Sequence, residues 1–306
     1  MCPLLVYLVC CRMTISWPAG IEPYLIDRML NVDGVKSALD VLLFTDVDLA
    51  KSAGISLTSS RHILYSIAKQ YAPVSLSAQE LFERADRVSS SIAGLDEILA
   101  GGFEKHWLVE LVGESGSGKT QMCLTVAAQA LRTARKVFWI DTEGTFRPER
   151  LLEILGGDET LLASISVCRA GSLSDLLDAL LRLRESVKDA SPCPLIIIDS
   201  VAAAARAQGS ALVDRNQLLH RLAQISKSTA AVTLVTNHVM ANLKAEGVVP
   251  ALGNTWAHSV TCRLRMNMAD NGMGRRRWIE TVKCPTTPVK PDNVFFRICK
   301  DGIKPE

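Results

Sequence analysis

The segment GESGSGKT at positions 113–120 constrains the fold of this chain more than any other feature. Its spacing matches the G-x-x-x-x-G-K-[ST] phosphate loop at every defined position, with an apolar run before it at 107–112 and a helical pattern after it at 121–132. In this order backbone N–H groups of the loop converge on an anion, and the helix N-terminus points its positive dipole at the same place. The sequence therefore predicts a nucleoside triphosphate site.

Each loop position has an expected part in holding ATP. Lys119 is expected to reach the β- and γ-phosphate oxygens, and Thr120 to hold Mg²⁺. Further contacts are expected from Gly113, Glu114, Ser115, Gly116, Ser117 and Gly118. A glycine-rich turn with a chance lysine is the alternative, but it does not explain the succession of strand, loop and helix.

Composition limits the remaining possibilities. A chain of 306 residues with 48% hydrophobic content can fill the core of a large α/β domain and a small one. The net charge of +2 is too small to indicate a polyanionic partner, so any nucleic-acid site must depend on local patches. Nine cysteines show no CxxC pair and no zinc-type spacing, which favours free intracellular thiols.

The first 17 residues are apolar enough to imitate a signal peptide, but they lack a basic n-region and an obvious cleavage site. They are also too short to span a bilayer. We interpret residues 1–20 as an irregular start ahead of the first domain.

A small helical domain is predicted over residues 21–70, with helices at 23–30, 35–43, 46–53 and 59–70. The turn at 53–56, between helices that we expect Asp46 and Ser59 to cap, resembles a helix-hairpin-helix that can set a helix N-terminus against a DNA phosphate. A helical bundle used for protein contact fits the pattern equally well. Residues 71–85, rich in Pro and Ser at their start, are predicted to form a linker and a linker helix.

From residue 86 to 306 apolar strand-like runs alternate with helical stretches, which predicts an α/β domain with a mostly parallel sheet. The expected strands are 108–112, 137–140, 164–167, 195–198 and 232–236. The stretch from 260 onward reads as a strand pair joined through 270–274 that extends the sheet edge.

Polar side chains follow three of these strands, where ligands of open α/β sheets bind. Asp199 is expected to order Mg²⁺ beside Thr120, although a capping aspartate is the alternative. Glu143 is the candidate for activating water, unless it is a solvated loop acid. His238 either senses the γ-phosphate or is structural.

These motifs together carry a resemblance to a known family. The segments SIAGLDEILAGG (91–102), DTEGTFRPERL (141–151) and LGNTWAH (252–258) accompany the phosphate loop. From position 21 onward the chain resembles RecA-type recombinases of the archaeal and eukaryotic branch, and in particular their paralogues. The resemblance implies a RecA-like P-loop ATPase core behind a small all-α domain, in protomers that pack head-to-tail with ATP at the junction and two inner loops facing single-stranded DNA.

Carried over position by position, the resemblance makes Lys119, Glu143 and Asp199 catalytic and gives Arg150 the adenine side. It places Arg206 in the first DNA loop and Lys244 in the second. It further implies a weak DNA-dependent ATPase of homologous recombination repair, located in the nucleus. The expected partners are other paralogues and the main recombinase in a hetero-oligomer, with no membrane association.

The chain also departs from the pattern of active recombinases. His238 stands where they commonly have Gln, the second loop at 240–250 is short, and YAPV (71–74) replaces their Phe-x-x-Ala anchor. The C-terminal ATP-capping segment is also expected to be absent. These differences argue against long filaments and strand exchange, and the linker and the missing cap favour a nucleotide-gated assembly adaptor as the alternative function. The short second loop, the triplet at 236–238, the linker and the spacing of the N-terminal helices most resemble the D paralogue of the eukaryotic recombinase.

The run RRRW at 275–278 combines three cations with an aromatic ring, as a site for single-stranded DNA would. A charged hairpin tip with Trp278 packed inward is the interpretation we favour.

Overall fold

The structure is a computed structural model and describes residues 17–33, 35, 38–72, 75–83, 85–187, 190–207, 212–241, 248–270, 275–286 and 293–306. The chain divides into two compact units that meet between Phe82 and Glu83. The sequence predicts four segments, at 1–20, 21–70, 71–85 and 86–306; this finer division stays a prediction.

The first unit is helical. Its elements are α1 (Pro23–Leu30), a 3₁₀ helix (Ala38–Leu43), α2 (Asp46–Ala53) and α3 (Leu57–Tyr71). Met29, Leu49, Ile63 and Ile67 are fully buried in its core.

The helix caps differ from the predicted ones. Thr45 caps α2 by accepting a hydrogen bond from the Asp48 backbone N–H, and Ser56 caps α3 by accepting one from the Ser59 N–H. The prediction of Asp46 and Ser59 as caps was wrong, because a capping residue precedes the helix in an extended conformation.

The turn between these helices is held by an arginine. Gly54 adopts the left-handed conformation that ends α2, and Arg28 Nη1 donates to its carbonyl oxygen at 2.6 Å. This contact fixes the end of α2 at the turn that the sequence presents as a possible DNA contact. A short helix, α4 (Ala78–Glu83), follows.

The second unit is an α/β domain. Its strands are β1 (Arg87–Val88), β2 (Phe103–Glu104), β3 (Leu108–Gly113), β4 (Val137–Asp141), β5 (Ile165–Arg169), β6 (Leu195–Asp199), β7 (Val232–Asn237), β8 (Val239–Ala241), β9 (Val248–Pro250), β10 (Cys262–Asp270), β11 (Arg275–Lys283), β12 (Val294–Cys299) and β13 (Gly302–Pro305). Its helices are α5 (Ala93–Ile98), α6 (Lys119–Arg132), α7 (Pro148–Ile154), a 3₁₀ helix (Glu159–Ser164), α8 (Leu173–Ser186), α9 (Val201–Ala207), α10 (Leu212–Ser228) and α11 (Gly253–Ser259).

The main sheet runs in the order β13-β12-β11-β10-β3-β7-β6-β4-β5. Neighbours from β10 to β5 pair in parallel, whereas β10 to β13 pair antiparallel. Separate hydrophobic cores cover the two faces, one containing residues of α6 and the other residues of α8 and α10. The predicted mostly parallel α/β fold is confirmed.

The predicted C-terminal strand pair is present as β10 and β11, although its tip at 271–274 lies outside the described residues. β10 itself lies inside the sheet beside β3, and β13 forms the edge. The side chain of Trp278 is half-buried and packs against Phe295, with ring centroids 6.2 Å apart.

Within the described ranges, no helix is both long enough and apolar enough to cross a membrane. Six cysteines of that part of the chain are free thiols, of which Cys123, Cys193 and Cys262 are buried.

Candidate nucleotide site

Glycines shape the two ends of the phosphate loop. Buried strand β3 ends at Gly113, where an added methyl group would lie 2.3 Å from the Met266 carbonyl oxygen. Gly118 precedes α6 with a φ of +107°, which L-residues with a Cβ rarely adopt. Between them Glu114, Ser115 and Gly116 are exposed, whereas Ser117 is buried. The loop therefore opens to solvent at its tip while its two ends are packed.

Lys119 lies across the mouth of this loop. Its Nζ donates to the carbonyl oxygens of Gly113 and Glu114, each at 2.8 Å, and the residue is only 7% exposed. Burial lowers the pKa of Lys119, and the nearby carboxylates of Asp199 and Glu143 oppose that shift. The ammonium group is thus held at the loop in a partly desolvated place, where a triphosphate would be a stronger partner than two carbonyls.

Asp199 and Thr120 form the oxygen pair expected at a magnesium site. Asp199 ends β6 and is 5% exposed; its Oδ2 accepts a hydrogen bond from Thr120 Oγ1 at 2.8 Å, and its Oδ1 accepts one from Thr236. Burial raises the pKa of Asp199, while the hydrogen bonds from Thr236 and Thr120 act against the shift.

The donor set fits Mg²⁺, which takes oxygen ligands, is bound by one or two carboxylates and leaves other positions to water and phosphate. Among the residues that the structure describes, no group of three or more His, Cys, Asp or Glu side chains could hold a metal ion.

Glu143 lies just beyond β4 with its carboxylate in a small hydrogen-bonded group. Its Oε1 accepts from Ser200 Oγ at 2.7 Å and lies 3.0 Å from His238 Nε2. Partial burial acts to raise the pKa of Glu143, but these two side chains and the charge of Arg206 outweigh it, so the pKa lies below the usual value. The structure therefore brings Glu143 and His238 together with Ser200, which the sequence did not single out.

The position of Glu143 is fixed by Asp141 at the end of β4. The Asp141 carboxylate accepts hydrogen bonds from four successive backbone N–H groups of residues 143–146, at 2.8–3.2 Å. Thr142 is joined to Ser200 by a reciprocal pair of bonds at 2.7 and 2.8 Å. An aspartate that ends a strand just before a Gly-containing turn is the signal that predicts this arrangement.

Arg150 is anchored between α6 and the β12–β13 turn. Its Nε donates to Gln121 Oε1 at 2.9 Å, and its terminal nitrogens donate to the carbonyls of Cys299 and Lys300, each at 2.7 Å. Arg150 and Lys300 also line an open groove of about 880 Å³. Arg150, the expected adenine-side residue, thus lies next to the helix that begins with Lys119 and Thr120. Its contact with the adenine ring stays a prediction.

Comparison with known proteins identifies the family. The family model described as Rad51 matches residues 84–306. The chain belongs to the Rad51 family. Its RecA-like fold and its phosphate loop agree with that membership, which supports ATP binding and a place in DNA repair and recombination.

Named relatives of this Rad51-family chain span most of its length. It is 27% identical to "DNA repair protein RAD51 homolog 4" of Bos taurus, over 88% of this chain and 91% of the relative. It is 29% identical to "DNA repair protein RAD51 homolog 2" of Mus musculus, over 87% and 91%. It is also 29% identical to "DNA repair and recombination protein RadA" of Methanocorpusculum labreanum, over 94% and 97%.

The predicted DNA-binding residues of this Rad51-family chain are only partly described. Arg206 is exposed near the end of α9, and its charge acts on Glu143. Lys244 lies outside the described residues, as do 208–211 of the first loop. The structure therefore brings Arg206 towards the nucleotide site, whereas the DNA contacts of Arg206 and Lys244 stay predictions.

A buried carboxylate connects the strands behind the site. Glu110 of β3 is fully buried; its Oε1 accepts hydrogen bonds from Asn237 Nδ2 at 2.7 Å and Trp256 Nε1 at 2.8 Å, and its Oε2 pairs with Arg263. Sequence reasoning missed this group because a lone glutamate in an apolar run carries no sign of its partners. Through these hydrogen bonds the Glu110 carboxylate connects β3 with β7, β10 and α11.

Proposed function

We propose that the chain binds Mg²⁺·ATP at residues 113–120 and hydrolyses it with Glu143. The observation that supports this proposal is the meeting of Lys119, the Thr120–Asp199 pair and Glu143 at the ends of three parallel strands. This is the place where open α/β sheets bind their ligands.

In this mechanism Lys119 leaves the loop carbonyls and neutralises the β- and γ-phosphates. Thr120 and Asp199 hold Mg²⁺, which would stabilise negative charge on the phosphate oxygens. Glu143 accepts a proton from the attacking water and orients it, for which its low pKa keeps the carboxylate ionised at neutral pH. His238, whose Nε2 lies beside the Glu143 carboxylate, senses the γ-phosphate at the same end of the sheet.

At the level of the cell, we propose a weak DNA-stimulated ATPase that acts in homologous recombination repair. Arg206 and Lys244 contact single-stranded DNA, and the chain works in the nucleus within a complex of recombinase paralogues that assists the main recombinase. The support is family membership and relatives whose names refer to DNA repair. The narrower assignment to the D paralogue is also a proposal, since the named relatives include two different homologues at similar identity.

A second function is an assembly adaptor in which ATP binding matters and turnover is negligible. The observation that favours it is the engagement of Glu143 by Ser200 and His238, because a carboxylate that already accepts hydrogen bonds is less available to water. Strand exchange by the chain itself is the third candidate, and filament formation by the purified protein tests it.

Phosphate release with and without single-stranded DNA distinguishes the first two functions. The ATPase proposal expects turnover that rises with DNA and is lost in Glu143→Gln; the adaptor proposal expects ATP-dependent partner binding that Glu143→Gln leaves unchanged. Affinity purification of the tagged chain, with and without ATP, identifies stoichiometric partners. Failure to bind ATP at all contradicts both.

A further inference from the structure

Three consecutive arginines at the start of β11 divide between the two faces of the sheet. Arg276 stacks on the ring of Phe295, with its guanidinium carbon 3.9 Å from the ring centroid. Arg277 instead directs its Nε towards the carbonyl oxygen of Gly116 in the phosphate loop, at 3.4 Å. Successive residues of a strand point to opposite faces, so the two side chains cannot act as one cluster.

The neighbours of Arg277 show that this position borders the phosphate loop. In the sheet it pairs with Met268 on one side and Phe296 on the other. A methyl group added to Gly116 would lie 3.8 Å from Met268 Cε, and one added to Gly118 would lie 3.4 Å from Phe296 Cε2. Met268, Arg277 and Phe296 therefore form a row along the loop, in which Arg277 supplies the charge.

We propose that Arg277 is a second cation of the nucleotide site, which acts with Lys119 on the phosphates of a nucleoside triphosphate. The inference rests on the proposed ATP binding and names a further residue for it. A guanidinium is always charged and has five N–H donors, of which the Gly116 contact uses one. Its attraction grows with the negative charge of the ligand, so Arg277 favours ATP over ADP.

The test measures the binding of ADP and of a non-hydrolysable ATP analogue to the full chain. Arg277→Ala should weaken binding of the ATP analogue about three- to tenfold at low salt, and binding of ADP less. Arg277→Gln, which keeps a hydrogen-bond donor and removes the charge, should resemble Arg277→Ala, while Arg277→Lys should retain most of the affinity. The loss should shrink at high salt, because the site is open to solvent.

Arg276→Ala is the matched control, since it removes an adjacent arginine from the other face and should leave nucleotide affinity within about twofold of the parent. Unchanged ATP affinity in both Arg277→Ala and Arg277→Gln would overturn the inference. So would a loss in the Ala variant that Gln fully restores, or a loss confined to oligonucleotide binding. If Arg277→Ala does not fold, the Gln and Lys variants decide the question.

Failure of this inference can be distinguished from failure of the proposed function. A parent chain that binds no nucleotide contradicts the proposed function and this inference together. A parent chain that binds ATP through Lys119, with affinity indifferent to the charge at Arg277, contradicts this inference alone.

Discussion

Ser200 donates its hydroxyl hydrogen to Glu143 at 2.7 Å, although 57 positions separate the two residues in the chain. The contact depends on the parallel pairing of β4 and β6, which puts Asp141 opposite Asp199 and so brings the residues after each strand side by side. The position of the Glu143 carboxylate, which we propose as the general base, is therefore fixed by Ser200 after the neighbouring strand as well as by its own loop.

Removing this hydroxyl should shift the pH dependence of hydrolysis. The Ser200 hydrogen bond helps to lower the pKa of Glu143, so Ser200→Ala should raise that pKa. Because the ionised form is the active base, the acid limb of kcat/KM should move to higher pH, and activity near neutral pH should change little. A pH–rate profile measures the shift, and Ser200→Thr should restore the parent limb. An unchanged limb in the Ala variant would deny Ser200 this positioning role.

Lys119→Ala should abolish tight ATP binding. Backbone amides alone do not compensate the triphosphate charge that the ammonium group neutralises. Titration with a fluorescent ATP analogue measures the loss, and Lys136→Ala, an exposed lysine beside β4, is the control. If Lys119→Ala and the parent bind ATP with equal affinity, residues 113–120 are not the nucleotide site.

Glu143→Gln should preserve ATP binding and lower turnover by about 10²- to 10⁴-fold, the range that a positioned general base contributes. The substitution conserves shape and removes the charge that takes up the proton. Glu149→Gln, at an exposed position of the same segment, should leave turnover unchanged. If Glu143→Gln hydrolyses ATP at the parent rate, Glu143 has no catalytic role. Another group then activates water, unless the parent rate is itself negligible, as the adaptor function expects.

Trp256→Phe should destabilise the second unit by about 1–3 kcal/mol. An aromatic side chain is kept, but the bicyclic indole becomes a single phenyl ring, and Glu110 loses the indole N–H that it accepts at 2.8 Å in a fully buried place. The urea midpoint of unfolding gives the cost, with Trp278→Phe at a half-buried position as the comparison. Equal costs for the two variants would show that the smaller ring, and not the lost buried hydrogen bond, accounts for the destabilisation.

Arg206→Ala should weaken binding of single-stranded DNA of every sequence alike. One phosphate contact to a single strand contributes a slope of about −0.7 to log affinity against log salt, and the slope should flatten by roughly that amount. Labelled oligonucleotides titrated at several salt concentrations provide the slopes. Parallel lines for the variant and the parent would place the DNA contact elsewhere.

Much of this architecture could be predicted because local pattern and global fold agree. The apolar runs that form β3, β4, β6 and β7 are each followed by polar residues of the types that bind phosphate or Mg²⁺ or activate water. Because these strands are parallel, the residues at their ends, Thr120, Glu143 and Asp199, come together. Helix caps were missed by one and three residues, since Thr45 and Asp46, like Ser56 and Ser59, are all plausible capping types.

The contacts that could not be predicted are those made across long sequence separations. The bond from Ser200 to Glu143 and the partners of Glu110 depend on strand register, which one sequence does not fix at the level of side chains. The three arginines at 275–277 are a further case, because their composition indicates a single patch whereas the pleat of β11 separates Arg276 from Arg277.

The last strand of the sheet has a consequence for how the protein is made. The backbone N–H of Ile303 in β13 donates to Thr125 of α6 at 3.0 Å, and Arg150 is held by the carbonyls of Cys299 and Lys300 just before it. A nascent chain on the ribosome therefore exposes its phosphate loop long before the elements that brace α6 and Arg150 have been translated. Completion of the nucleotide pocket must wait until the ribosome has passed these residues, so ATP is expected to stabilise a chain that already contains β13 and not its shorter precursor.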